Sequence, residues 1–182
     1  ASPEMPGGSQ FDLFVQRRFM PFFMTQALGA FNDNIFKNAL AALLVFKASQ
    51  MGGLNTDQLV NLSAMLFILP FFLFSALFGQ FADKFEKSLQ IRRVKLFEVV
   101  IGLLALLGFW LDNVPLLLFV LFLLGLQSTI FGPIKYGILP QILRREELVG
   151  GNALVEMGTF VAILAGTIAG PQLIGVDAGW PY

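Results

Sequence analysis

A chain of 182 residues with 56% hydrophobic and 13% charged side chains falls outside the usual composition of water-soluble domains, in which about a quarter of residues carry charge. Twelve basic residues balance twelve acidic ones, so the total charge favours neither nucleic acid nor any other polyion as a partner. With no Cys and no His, disulfide frameworks, thiolate nucleophiles, imidazole acid–base catalysis and the usual zinc ligand sets are excluded, and no cofactor or metal is expected.

The first ten residues, Ala1 to Gln10, are rich in Pro, Gly and Ser and lack the basic start and small-residue cleavage site of a signal peptide. Residues 1–16 are therefore expected to form a disordered cytoplasmic tail, with one folded unit over 17–182. Run length defines that unit. Gln58–Ala82, Val114–Ile134 and Met157–Val176 are 25, 21 and 20 residues without a single charge. A helix needs about 20 apolar residues to cross the hydrocarbon, whereas barrel strands read as short alternating segments. The pattern predicts an all-α membrane protein with about five transmembrane helices, over Phe19–Phe46, Leu59–Ala82, Val94–Leu111, Val114–Leu139 and Asn152–Ile174.

The first span is the least regular, because Asn32-Asp33-Asn34 and Lys37-Asn38 interrupt it. Ser49–Asp57 reads as a Gly-rich turn, with Asn55, Thr56 and Asp57 available to cap the second span. Asp112-Asn113 reads as a tight turn, with Pro115 opening the next helix. Arg17, Arg18, Lys84, Lys87, Arg92, Arg93, Lys95, Arg144 and Arg145 fall on one side of the bundle, and Lys47 alone falls in the opposite loops. By the positive-inside rule the N-terminus is cytoplasmic, and five spans place Tyr182 outside. The chain starts without Met and stops at Trp180-Pro181-Tyr182 just after an apolar run, which is expected to mark a boundary within a longer protein.

Charges inside spans are functional pointers, because burying one is costly unless it is paired or wet. At about 100° per residue, Gln26, Asp33 and Lys37 share one stripe of the first span, and Asn34 and Asn38 widen it. Asp33 and Lys37 are spaced to pair with each other, as a packing device, or to contact cargo. In the third span Glu98 lies beside Lys95 and reads as an interfacial pair reaching toward the headgroups. In the fourth, Ser128 and Lys135 share a face with Gln127 near it, and Gly132-Pro133 interrupts the helix between them. Lys135 can serve cargo or extend toward cytoplasmic headgroups. In the fifth, Asn152, Glu156, Thr159 and Thr167 form a polar stripe. Gly158, Ala162, Ala165, Gly166, Ala169 and Gly170 form a small-residue face that permits close helix approach. Glu156 is a cargo candidate, or it pairs with a Lys or Arg.

The segment Gly79-Gln80-Phe81-Ala82-Asp83-Lys84-Phe85-Glu86-Lys87 resembles the signature loop of the major facilitator superfamily, with Glu86 in place of a usual Gly and Ser88 in place of a usual basic residue. Leu28-Gly29-Ala30-Phe31-Asn32-Asp33-Asn34, the stretch from Gly132-Pro133-Ile134-Lys135 to Pro140-Gln141, and Asn152-Ala153-Leu154-Val155-Glu156 resemble its bacterial lysophospholipid transporter branch, above all the transporter halves fused to glycerophospholipid acyltransferases. The resemblance implies the N-terminal lobe of a two-lobed, twelve-span, alternating-access carrier of the inner membrane, here without its sixth span and second lobe. It implies a cavity lined by the first and fourth spans, with Gln26, Asp33, Asn34, Lys37, Asn38, Gln127, Lys135 and Glu156 as substrate-binding candidates. Gly79, Asp83, Lys84 and Lys87 would act at the interface between lobes, and Gly79 would allow close packing there. Gly166, Gly170 and Pro171, the last part of a Gly-Pro pair near the end of the fifth span, join them as interface or gating candidates.

The implied cargo is a lysophospholipid, lysophosphatidylethanolamine above all, moved for re-acylation; the implied partners are membrane lipid, the second lobe and a fused acyltransferase domain. A proton-coupled carrier of a small polar solute or drug fits the same fold. A membrane-anchoring part of an acyltransferase is the alternative of another class, although the absence of His removes the His-Asp pair of such enzymes from these residues.

Overall fold

The computed structural model describes residues 10–51 and 55–175. Five long helices account for nearly all of them: α1 (Met20–Met51), α2 (Thr56–Lys84), α3 (Lys87–Trp110), α4 (Val114–Ile142) and α5 (Leu148–Gly175). There is no strand among the described residues. Of the five, α2, α4 and α5 are long and apolar enough to cross a membrane by composition alone. The other two, α1 and α3, have 32 and 24 residues, sufficient in length, and carry the interior charges that lower their apolar content.

Several boundaries differ from expectation for physical reasons. A short 3-10 helix, Gln10–Val15, occupies the end of the expected tail because Leu13 is buried against the bundle. Ala1–Ser9, Gly52–Leu54 and Val176–Tyr182 lie outside the described residues, and with them most of the tail, the centre of the Gly-rich turn and the expected exterior terminus. Helix α1 is unbroken, because the interrupting Asn residues bond to their own helix: Asn34 Nδ2 donates to the Ala30 carbonyl at 2.7 Å and Asn38 Nδ2 to the Asn34 carbonyl at 2.8 Å. Helix α4 likewise runs straight through Gly132-Pro133, so the proline removes one ladder bond without ending the helix. Helix α3 begins at Lys87 and carries Arg92 and Arg93 on helix rather than loop. At the α3–α4 turn Asn113 caps α4, its Oδ1 accepting from Leu116 N at 3.0 Å, with Asp112 at φ 53°. Asn55 is the N-cap residue of α2 but makes no side-chain cap bond.

Helix α1 packs chiefly on α5, and α4 is flanked by α2 and α3. Lipid tails are as apolar as Leu, so such contacts depend on close packing rather than on escape from water. Small residues set the distances. A Cβ on Gly166 would stand 2.9 Å from the Phe31 carbonyl oxygen, and one on Gly170 would stand 2.7 Å from that of Ile35, so the small face of α5 receives α1. The corresponding contact between α4 and α2 is Gly125 against the backbone of Phe67.

Two apolar clusters lie toward opposite ends of the bundle. One joins Leu13, Phe19 and Phe22 to Leu139, Leu143 and Leu154; the other joins Phe36, Leu40 and Leu44 to Ile101, Leu117 and Leu121. Between them lies a layer of buried polar residues.

Candidate functional site

The polar layer consists of two hydrogen-bonded groups. The first links α1, α4 and α5. Lys135, only 9% exposed, donates from Nζ to Thr159 Oγ1 at 3.1 Å and pairs with Glu156 Oε1 at 3.1 Å. Tyr136 donates its hydroxyl to the same Glu156 oxygen at 2.6 Å. Thr159 donates to Gln26 Oε1 at 3.0 Å, and Gln26 Nε2 donates to the Val155 carbonyl at 3.2 Å. The cation that pairs with Glu156 is therefore within this chain. Lys135 turns inward rather than toward headgroups.

The second group links α1, α3 and α4. Ser128 donates to Asp33 Oδ2 at 2.6 Å. Gln127, 2% exposed, keeps its Oε1 3.3 Å from Ser128 Oγ and donates from Nε2 to Glu98 Oε2 at 2.9 Å. Glu98 also receives Lys95 Nζ at 2.6 Å, and Lys95 lies 4.7 Å from the centre of the Phe131 ring. The Lys95–Glu98 pair expected at the membrane interface is thus inside the bundle, against Gly29 of α1, where a Cβ would stand 3.3 Å from Glu98 Oε1. The spacing of 95 and 98 puts both on one face; it does not say which face is packed.

Two groups in this layer are incompletely satisfied among the described residues. Asp33 Oδ1 is buried with no hydrogen-bond partner. Lys37 forms no ion pair with Asp33; its Nζ lies 5.0 Å from the centre of the Phe67 ring on α2. A buried carboxylate oxygen left without a donor is costly, and such exceptions call for a functional account.

The remaining candidates separate from this layer. Asn34 and Asn38 face α5, where Asn38 Nδ2 also donates to Thr167 Oγ1 at 3.3 Å, so both belong to the α1–α5 contact. Gly79 has nothing within 4 Å of a built Cβ, so the close packing expected there has no partner among the described residues. Asp83 and Lys84 are exposed, and Asp83 makes no bond to the start of α3. Lys87 donates to the Ala82 carbonyl at 3.4 Å and Gln90 to that of Phe85 at 2.8 Å, which caps the end of α2. Pro171 is exposed within a continuous α5. On the basic side, Arg18 reaches both Glu147 carboxylate oxygens at 2.7 Å and the Ile142 carbonyl at 3.0 Å, tying α1 to the α4–α5 connection.

Sequence reasoning left Glu98 and Lys95 out of the interior polar layer and did not single out Tyr136; their signal was charge within an apolar run and adjacency to Lys135. No group of three or more carboxylates converges on a metal-sized site among the described residues.

A five-helix bundle with an apolar exterior and a charged, hydrogen-bonded layer inside defines a multi-pass membrane protein with a polar interior. The chain belongs to the major facilitator superfamily, whose profile matches residues 17–182. It is similar to the lysophospholipid transporter LplT of Enterobacter sp. (strain 638), with 34% identity over 155 residues, 85% of this chain and 35% of that protein. It is similar also to that of Citrobacter koseri, with 34% identity over 161 residues (88% and 36%), and to that of Cronobacter sakazakii, with 32% over 176 residues (97% and 40%). The chain therefore spans 35–40% of the length of these curated relatives. No solved structure matches.

Proposed function

We propose that this chain is the N-terminal lobe of an inner-membrane carrier that moves a lysophospholipid, lysophosphatidylethanolamine above all, toward the cytoplasmic leaflet for re-acylation by alternating access. The observation that carries the proposal is the open pair on one face of α1, Asp33 Oδ1 and Lys37 Nζ, within a bilayer-spanning bundle. A zwitterionic headgroup offers an ammonium to the first and a phosphate to the second. The names of the relatives point the same way.

Two features support a lobe that continues beyond these helices. Helix α4 has neighbours on two sides, α2 and α3, whereas α1 has α5 alone as its main partner. Its other side, with α3, borders an apolar cleft of about 730 Å³ lined by Ile35, Phe36, Leu43, Val99, Leu103 and Phe109. A sixth span of the full protein would cover that cleft, and a second lobe would meet the exposed Gly79–Lys84 segment. The nine basic residues grouped on one side make that side cytoplasmic.

Transport by the full-length protein tests the proposal. Vesicles containing it are expected to take up radiolabelled lysophosphatidylethanolamine faster than empty vesicles, with or without an imposed proton gradient. Uptake of polar drugs or solutes alone, only with the gradient, would replace this reading by the proton-coupled one. Asp83→Asn in the same protein is expected to leave yield and thermal stability within about 0.5 kcal/mol of the parent, since the side chain is exposed, while slowing uptake. Parental uptake rates would remove Asp83 from the interface between lobes.

A further inference from the structure

The bundle contains three lysines in its interior, Lys37, Lys95 and Lys135, and their surroundings differ. Lys95 lies 2.6 Å from Glu98, and Lys135 lies 3.1 Å from Glu156 with Thr159 as a further acceptor. Both charges are neutralised by a carboxylate, on α3 for Lys95 and on α5 for Lys135. Lys37 is the exception among the described residues. It is half-buried and has no carboxylate within ion-pair distance. Its described contact is the face of Phe67, which attracts the ammonium without occupying its hydrogen-bond donors.

We infer that Lys37, seated on Phe67, is the anion-binding group of the cargo site and takes the phosphate of a lysolipid headgroup, while Lys135 is a positioning residue that holds α4 to α5. The inference rests on the lysophospholipid reading above and assigns its two charges. Asp33 and Lys37 are four residues apart on one helix face, about 6 Å along the axis. That separation suits the phosphate and ammonium of one ethanolamine headgroup. Asp33 has one oxygen held by Ser128 and the other without a partner, so it can receive a cation without breaking its existing bond. Lys135 cannot receive a phosphate in the same way, because the incoming anion would have to displace Glu156, which Tyr136 also holds at 2.6 Å. Lys95 is excluded by the same argument, with Gln127 adding a second bond to its carboxylate partner at 2.9 Å.

The test measures binding to the purified full-length protein in nanodiscs, with two probes of equal chain length: lysophosphatidylethanolamine, which carries the phosphate, and monoacylglycerol, which does not. Millimolar inorganic phosphate is present throughout. The quantity read is the ratio of the two affinities, so a variant that unfolds loses both and cannot mimic a selective loss. The parent is expected to prefer the phosphate-bearing probe. Lys37→Gln is expected to lower the ratio about tenfold or more, and Lys37→Arg to keep most of it, because a guanidinium also meets phosphate. Phe67→Leu is expected to lower the ratio about two- to fivefold. Lys135→Gln is expected to reduce folded yield and keep the ratio. A Lys37→Gln protein with the parental ratio, or a Lys135→Gln protein that loses it, overturns the assignment and leaves the lipid reading standing. Binding of neither probe by the parent overturns the lipid reading itself. A ratio near one in the parent, restored when inorganic phosphate is removed, means that the seat serves the free ion, and this too overturns the inference.

Discussion

Gly125→Leu in the full-length protein is expected to remove most of the folded material, whereas Gly79→Leu is expected to be tolerated by this bundle. A Cβ on Gly125 would stand 3.0 Å from the Phe67 carbonyl carbon and closer still to its oxygen. The obstacle is backbone, so no rotamer change can relieve it, and the two helices have to separate. Forcing extra atoms into a close-packed contact costs about 1–3 kcal/mol where side chains can shift, and more where they cannot. Helix α2 depends on α4 for most of its packing, so separation there leaves it with little hold on the bundle. At Gly79 nothing lies within 4 Å, and the added side chain meets open space. Fluorescence-detected gel filtration of both variants reports the difference. A monodisperse Gly125→Leu peak at parental yield would show that α2 and α4 can separate at Gly125 without loss of the fold.

Asp33→Asn is expected to lower lysophospholipid uptake by about 10- to 100-fold, the effect of losing one charge-assisted contact, without loss of folded protein. The important variant is the double one. If Asp33 served only to neutralise Lys37, replacing both by Asn and Gln would restore function, because removing a buried pair together is often harmless while breaking one member costs about 3–5 kcal/mol. The structure gives Asp33 a different partner, the Ser128 hydroxyl at 2.6 Å, and places Lys37 over Phe67. The double variant Asp33→Asn with Lys37→Gln is therefore expected to remain as inactive as the single one in a vesicle uptake assay. Recovery of uptake would make the two residues a structural pair and move the cargo site toward Lys135 and Glu156.

Much of this architecture was legible in run lengths. The charge-free stretches Gln58–Ala82 and Val114–Ile134 fall within α2 and α4, the third falls within α5 as far as the described residues go, and Gly166 and Gly170 do form a close contact, with α1. What local spacing could not supply was partners distant along the chain. Asp33 and Lys37 are spaced to meet on a helix, but Asp33 is taken by Ser128, 95 residues away. Gln26 joins Thr159, 133 residues away, rather than the rest of its stripe. The same limit hid Gly125, whose partner, the backbone of Phe67, lies on another helix. Pro133 misled for another reason: it takes one ladder bond from α4, but the helix is packed between α2 and α3 and continues through it.

The distance in sequence between bonded partners also bears on how the protein enters the membrane. Helix α1 emerges from the ribosome before the other four helices, carrying Asp33 and Lys37, each of which opposes partition into lipid by about 2.5–3.5 kcal/mol near a helix centre. Neither Ser128 nor Thr159 exists yet, and the Arg18 clasp on Glu147 must wait for the connection before α5. Helix α1 therefore spends most of synthesis as a reluctant occupant of the bilayer, kept from slipping through it by Arg17 and Arg18 on its N-terminal flank. Its stable insertion is completed by helices made later, so truncated translation products ending before α4 should hold α1 loosely.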